Sequence, residues 1–260
     1  MTDSADSSSD VSSPVVRQLF PAYAGEVDTA TLRRLYAYPV VDSRAWVRAN
    51  MVSSLDGGAV RDGKSGGLSG EADKAVFQVL RGLADVVLVG AGTARSEGYK
   101  PPRPKPAYAD LRAALDQAPA PVLALVSGRL DLDPSSELFG GPPGRRTIVV
   151  THAGTDASAR DRLAEVADVV VAGRESVDLA DALTQLSSRG LLRVLCEGGP
   201  SLLADLAAAG QLEELCLSLA PVLVAGDGPR ILTGPDLGVD LTLAHLLESD
   251  GTLLSRWVRP

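Results

Sequence analysis

Cysteine and histidine are scarce: the 260 residues hold two of each, Cys196, Cys216, His152 and His245. So few thiols argue against a disulfide scaffold and fit a reducing compartment. With no C-x-x-C or H-x-x-x-H spacing, they build no familiar zinc site, and no metal is expected. Apolar runs fall short of the roughly 20 residues that a membrane-spanning helix needs. Nothing resembles a signal peptide, so the expected location is the cytoplasm. Basic residues are in deficit, 25 against 33 acidic ones, for a formal net charge of −8. That balance argues against non-specific nucleic-acid binding, which needs a basic surface. A phosphorylated ligand would have to be held locally, by backbone amides and a few arginines. What the chain does have is 45% hydrophobic residues, enough over this length for a core without staples.

Serine and aspartate dominate the first residues and cannot offset ordering entropy, so a disordered tail over 1–14 and a single domain over 15–260 are expected. Leu32, Leu35 and Tyr36 at helical spacing predict a short helix within 29–38. The stretches 99–106 and 140–144, rich in proline and glycine, read as loops. Between these breaks strands and helices alternate. Strands are predicted at 46–52, 85–90, 121–126, 147–151, 168–172, 191–196 and 214–224, and helices at 71–83, 157–167, 177–190 and 200–210. Runs such as 85–90 are almost wholly apolar, the kind buried on both faces. The helix 71–83 sets Val76, Val79, Leu80 and Leu83 on one face. The last segment, 252–258, reads as an edge or antiparallel strand. The pattern implies an α/β fold of three αβα layers around a mostly parallel sheet. Ligands in such folds bind beyond the carboxyl ends of the strands.

Those strand ends carry the candidate residues. Gly90-Ala91-Gly92-Thr93 lets backbone approach a ligand, with Thr93 as a cap or a phosphate partner, or it is simply a tight turn. It lacks the third glycine of a Rossmann fingerprint. Glu197-Gly198-Gly199-Pro200-Ser201-Leu202 opens a helix with proline at its preferred first position and free amides suited to a pyrophosphate. Glu197 strengthens the reading of a site, because a carboxylate at a strand end must be exposed or paired. Ser53-Ser54-Leu55-Asp56-Gly57 reads as a hairpin turn, and the glycine-rich 62–70 as either a lid or a surface excursion. Ser69 with Asp73 resembles a capping box. Ser127 and Arg129 suit an adenosine 2′-phosphate, or Arg129 is a solvated loop residue. His152 reads as a loop or stacking residue.

SSLDG (53–57), the serine/glycine loop, Leu80-Arg81, VGAGT (89–93), EGGPSLL (197–203) and LAPVLVAG (219–226) resemble, in this order, the riboflavin-biosynthesis pyrimidine reductases. The resemblance runs from Val47 to Pro260 and implies a dihydrofolate-reductase-like fold that uses NADPH. The zinc-deaminase signatures of bifunctional relatives, H-x-E and P-C-x-x-C, are absent. By position it implies cofactor contacts at Val52, Gly67, Thr93, Glu97, Ser127 and Gly199-Pro200-Ser201-Leu202-Leu203, with Gly92, Gly198 and Arg129 added from the strand ends. It places Ser65, Arg81 and Glu197 against the substrate, with Lys100 or Arg103 meeting its phosphate. Three departures stand out: glycine at 67 instead of an aromatic residue, Glu97 instead of aspartate, and Gly98-Tyr99-Lys100-Pro101-Pro102-Arg103 instead of a proline-leucine-arginine pattern.

The implied reaction is reduction of the ribosyl carbon of a phosphoribosylaminouracil, with Glu197 and Asp56 as the groups that handle protons or hydroxyls. Alternatives are a dihydrofolate-type pterin reductase on the same NADPH site, and a catalytically silent nucleotide-binding homologue. The apolar strand 214–224 and the C-terminal segment are expected to build a homodimer, the usual arrangement of that family.

Overall fold

In the computed structural model, which describes residues 14–141 and 144–260, ten strands form one sheet among the described residues. They are β1 (Arg17–Phe20), β2 (Trp46–Ser54), β3 (Val86–Gly90), β4 (Val122–Val126), β5 (Ile148–Thr151), β6 (Asp168–Val171), β7 (Arg193–Cys196), β8 (Glu214–Ala220), β9 (Thr242–Ser249) and β10 (Thr252–Val258). The helices are α1 (Thr29–Leu35), α2 (Glu71–Leu83), α3 (Ala91–Glu97), α4 (Ala109–Ala114), α5 (Ala157–Ala164), α6 (Leu179–Ser187) and α7 (Pro200–Ala208). The expected tail falls mostly on residues 1–13, and part of the 140–144 loop on 142–143; both lie outside the described residues.

The sheet order is β1-β9-β10-β8-β2-β7-β3-β4-β5-β6. Strands from β8 to β6 run parallel, whereas β1, β9 and β10 pair antiparallel at one edge. The two faces carry separate cores, one under α1, α2, α3 and α5, the other under α6 and α7. Because β7 inserts between β2 and β3 late in the chain, the carboxyl ends of these three strands meet at the centre of the sheet. That is the switch point where open α/β sheets bind ligands.

Some elements depart from the sequence reading. Residues 91–97 form α3, closed by Gly98 in the left-handed conformation (φ 71°), instead of continuing a turn. Strand β8 stops at Ala220, before Pro221, whose missing N–H cannot serve a ladder. Strands β1 and β9 had gone unread. The β9–β10 hairpin carries Asp250-Gly251 in positive-φ conformations at its turn (φ 48° and 78°), a signal the sequence does contain. Helix α2 is capped at Gly70 without a side-chain bond, so Ser69 is not its cap.

Deep under α1, Glu214 holds two guanidinium groups, Arg48 (Nη2–Oε2 3.1 Å) and Arg256 (Nε–Oε1 2.7 Å). His245 lies beside them, buried, edge-on to Tyr36, with its Nε2 unpartnered. Burial, helped by the positive charge of Arg256, brings its pKa down to about 4. The unfolded chain takes that proton near pH 6.5 while the fold refuses it until about 4. Stability therefore falls as pH drops through this window, by at most about 3 kcal/mol, and levels off below it. Urea unfolding of His245→Gln from pH 7 to 4 checks this: the variant is expected to lose that slope, and an unchanged slope contradicts the assignment.

Candidate active site

A cleft of about 960 Å³ opens over the ends of β2, β7 and β3, walled by α2, α3, the 59–69 loop and the 98–103 loop. Of the sequence-predicted residues it gathers Val52, Ser65, Arg81, Thr93, Glu97, Lys100, Arg103, Glu197, Gly199 and Pro200.

Its floor on the β3–β7 side is bare backbone. The Gly90 amide donates to the Gly198 carbonyl (2.8 Å), which clamps the two strand ends together. A Cβ on Gly199 would stand 2.3 Å from the Thr93 hydroxyl, so this corner accepts no side chain without moving Thr93. Gly198, at φ 89°, occupies a conformation that favours glycine. Gly199 is the N-cap of α7 and Pro200 its first residue, so first-turn amides without an intrahelical partner point at the corner where Thr93 lies. Leu203 belongs elsewhere: its amide bonds the Gly199 carbonyl and its side chain is core. Leu202 is likewise buried by its side chain, leaving only its amide, and Ser201 is exposed beside it.

Directly before this corner in the chain, Glu197 anchors a hydrogen-bonded triad. Glu197, 7% exposed, accepts both arms of Arg81 (Nε–Oε1 2.7 Å, Nη2–Oε2 2.6 Å) and the Tyr99 hydroxyl (2.8 Å). Arg81 also lies over the Phe77 ring, 4.3 Å from its centroid. Burial, reinforced by the Glu197 charge, raises the Tyr99 pKa, so its proton stays on the hydroxyl. The resemblance places Arg81 against the substrate; in the structure its Nε and Nη2 are taken by Glu197. Glu197 in turn is a paired acceptor whose oxygens are largely taken. Tyr99 had been passed over as part of a proline-rich loop.

Cations along the cleft differ in their partners. Lys74 pairs with Glu71 (2.7 Å) and Lys100 with Glu137 (2.8 Å). Arg103 lines the cleft, exposed and without an acidic partner among the described residues. Glu97 accepts the Ser65 amide (3.0 Å), tying the glycine-rich loop to α3.

Five further predicted site residues lie apart from the cleft lining. Asp56 accepts the Ser54 hydroxyl and the Ala225 amide (2.7 Å), bonds that hold its pKa at about 2, and joins the 53–58 turn to the 221–226 segment. It fastens the two loops and is not among the residues that line the cleft. Gly67 also misses the cleft; a Cβ there would meet the Arg61 carbonyl at 2.7 Å, and Gly63 and Gly66 line the wall instead. At the end of β4, Ser127 accepts the Leu130 amide (3.0 Å), and Arg129 is exposed at the neighbouring turn. Gly92 is exposed in the first turn of α3. His152 bridges the Gly128 and Arg174 carbonyls, as a loop residue.

A family model described as the RibD C-terminal domain matches residues 45–254. A 2,5-diamino-6-ribosylamino-4(3H)-pyrimidinone 5′-phosphate reductase of Archaeoglobus fulgidus is 27% identical over 196 residues, covering 74% of this chain and 87% of the relative. The riboflavin biosynthesis protein RibD of Bacillus amyloliquefaciens is 26% identical over 83% of this chain, which spans only 56% of that relative. Among solved structures, a pyrimidine reductase-like protein of Corynebacterium diphtheriae superposes with a TM-score of 0.79 at 29% identity, over 88% of this chain and 98% of that one.

Proposed function

Because the chain belongs to the family of the RibD C-terminal domain, we propose that it reduces a ribosylamino-pyrimidine 5′-phosphate in riboflavin biosynthesis with NADPH as its reductant. The observation that carries the reading is the bare glycine corner between α3 and α7, which opens into a cleft also lined by Arg81, Glu197 and Tyr99. The corner fits a dinucleotide diphosphate: amides and the dipole of α7 favour an anion, and no side chain fills the space. Gly199, Pro200, Ser201, Leu202 and Thr93 would hold it there, with Val52 and Glu97 along the cleft beyond.

When bound, NADPH supplies a hydride that reduces the C1′ imine of the opened ribose to a ribitylamine, the nitrogen gaining a proton. The protein's own work is binding and orientation. Glu197 keeps Arg81 and Tyr99 fixed along the wall, and its Oε1, with one accepted bond, still has a lone pair for a ribosyl hydroxyl. Arg103, the cation without a partner, takes the substrate phosphate. Replacing it with alanine is expected to raise KM for the phosphorylated substrate about 10- to 100-fold, the worth of a charge-assisted bond, and to leave the dephosphorylated compound unaffected. Equal effects on both would move the phosphate elsewhere.

The direct test follows NADPH absorbance with ribosylamino-pyrimidine phosphates and with a dihydropterin. Oxidation with a pyrimidine supports the proposal, and oxidation with the pterin alone favours a dihydrofolate-type enzyme. Binding of NADPH without oxidation by any of them makes the chain a silent homologue. A homodimer belongs to the same reading: Leu217, Leu219, Leu246, Leu253 and Trp257 are half-buried on the sheet face opposite α2. Leu217→Asp is expected to yield monomers in sedimentation, against dimers for the native chain.

A further inference from the structure

Next to the cleft lies a second, smaller cavity of about 290 Å³, set between α2, Arg112 of α4 and the 102–108 and 119–121 segments. Five cations line it, Lys74, Arg81, Arg103, Lys105 and Arg112, and among the described residues no aspartate or glutamate does. In a chain with a formal net charge of −8 that is a local reversal of sign. Lys74, Arg81 and Arg103 also line the cleft, whereas Gln78, Lys105, Tyr108 and Arg112 line this cavity alone.

Arg112 is 2% exposed. Its Nε donates to the Ala118 carbonyl (2.6 Å) and its Nη1 to the Gly82 and Ala84 carbonyls (3.0 and 2.8 Å). Those bonds serve the C-terminal end of α2, a usual place for a cation. They leave Nη2 without a partner, and among the described residues no carboxylate forms an ion pair with the guanidinium. Burial brings its pKa down to about 10, a fall that Asp85 opposes only in part, being spent on Arg193 and the Leu192 amide. A buried charge left this way is costly unless an anion comes to it. Lys105 is also short of partners: one bond to the Gln78 side-chain oxygen (3.3 Å) leaves two of its N–H donors free.

Between these charges the walls are flat and apolar. The Tyr108 ring lies against α2, where a Cβ on Gly82 would stand 2.3 Å from it, an approach that glycine permits at some cost to the helix. Phe77, Pro102 and Pro121 add further apolar surface. The volume is at the small end of ligand cavities, which start near 300 Å³, and suits one ring with one anionic group. A capping role for Arg112 accounts for its three carbonyl bonds but not for the idle Nη2, the neighbouring cations or the open space.

We propose that this cavity is a binding site for a small aromatic anion, a single planar ring carrying a phosphate or a carboxylate, distinct from the substrate cleft. The ring packs on Tyr108 and Phe77, and the anionic group meets Lys105 within the field of Arg112. Arg103, on the rim common to both spaces, is left to the cleft. The inference goes beyond the reductase reading and does not depend on it, because occupancy is measured without turnover.

Calorimetric titration with phenyl phosphate tests it. One site is expected, with a dissociation constant of about 1 mM or below, given the size of the probe and ordinary ligand efficiency. Inorganic phosphate, which lacks the ring, is expected to bind at least about tenfold more weakly, and benzoate titrated alongside decides which anionic group is preferred. Lys105→Ala removes the anchor, and Gln78→Glu sets a carboxylate among the cations with no change in side-chain size. Each is expected to weaken phenyl phosphate at least about tenfold, and both side chains are exposed, so both variants should fold. Gly66→Asp is the control: it puts a carboxylate in the cleft alone, at a position where a Cβ meets nothing within 4 Å, and should change the affinity by no more than about twofold. Absence of saturable binding to the native protein overturns the site. So does loss of binding in Gly66→Asp with native affinity in the other two variants, which would put the probe in the substrate cleft. Equal affinities for phenyl phosphate and inorganic phosphate overturn the assignment of a ring. If phenyl phosphate binds as expected and no pyrimidine is reduced, the reductase reading fails and this site stands; if a pyrimidine is reduced and the probe does not bind, the reverse holds.

Discussion

Gly199→Asp is expected to lower NADPH affinity more than 100-fold while leaving the fold intact. The two effects separate for local reasons. Gly199 has extended backbone angles (φ −74°, ψ −171°) that any residue adopts. It also occupies the N-cap of α7, where aspartate is among the preferred residues. The only steric conflict is with the Thr93 hydroxyl, 2.3 Å from the added Cβ, and rotation of that side chain relieves it. What the substitution destroys is the empty, electropositive corner: a carboxylate now takes the α7 amides that a diphosphate needs. A loss of more than 100-fold corresponds to about 3 kcal/mol, in line with two or three charge-assisted bonds. Gly199→Ala, which adds bulk without charge, is expected to lose affinity less, about tenfold. Calorimetry with NADPH and a thermal melt on the same samples separate the cases. Native affinity in Gly199→Asp would remove the corner from the cofactor site.

Arg81→Met is expected to destabilise the protein by about 3 kcal/mol or more, because it strips Glu197 of its cation inside a buried wall. The Tyr99 hydroxyl alone remains to serve the carboxylate. Glu197→Gln is the milder change. It keeps an acceptor for Tyr99 and leaves a guanidinium that is partly exposed and still supported by the Phe77 ring. The double variant is expected to recover most of the stability lost in Arg81→Met, so the two residues should be coupled by at least about 2 kcal/mol in a double-mutant cycle. Activity separates differently: Glu197→Gln should reduce kcat/KM for the pyrimidine tenfold or more with NADPH affinity changed much less, since the groups proposed to hold the cofactor are the neighbouring backbone amides, which the substitution leaves in place. Additive stabilities would mean that the bidentate pair carries no energy. Wild-type kinetics in Glu197→Gln would remove that residue from the substrate wall.

Sequence reading recovered the parallel half of this molecule well, for a physical reason. Strands such as β3 and β4 are buried on both faces and read as short unbroken apolar runs, and α2 carries a continuous apolar stripe. The antiparallel edge was harder. In β9 the alternation is blurred by His245, a polar residue buried against Tyr36 instead of facing water. Helix α3 was hidden by its glycine and its length of seven residues.

At the site, residue types were legible where backbone chemistry dictates them, as at Gly198-Gly199-Pro200. Side-chain partnerships were not. Arg81 and Glu197 are 116 positions apart and Tyr99 and Glu197 are 98 apart, and only the fold shows that they neutralise one another. The bonds of Asp56 to Ser54 and Ala225 were likewise invisible in the motif, where the carboxylate reads as free. Asp73 does accept the Ser69 hydroxyl that the motif pairs with it, but its second partner, Ser218, is 145 residues away and could not be read from the sequence.

The most direct test of the account is a crystal structure of the protein with NADPH. It should show the diphosphate against the first-turn amides of α7 and the Thr93 hydroxyl, with the nicotinamide directed into the cleft toward Glu197. Density for the dinucleotide at any other strand end, or a corner closed by Thr93 with nothing bound, would contradict it.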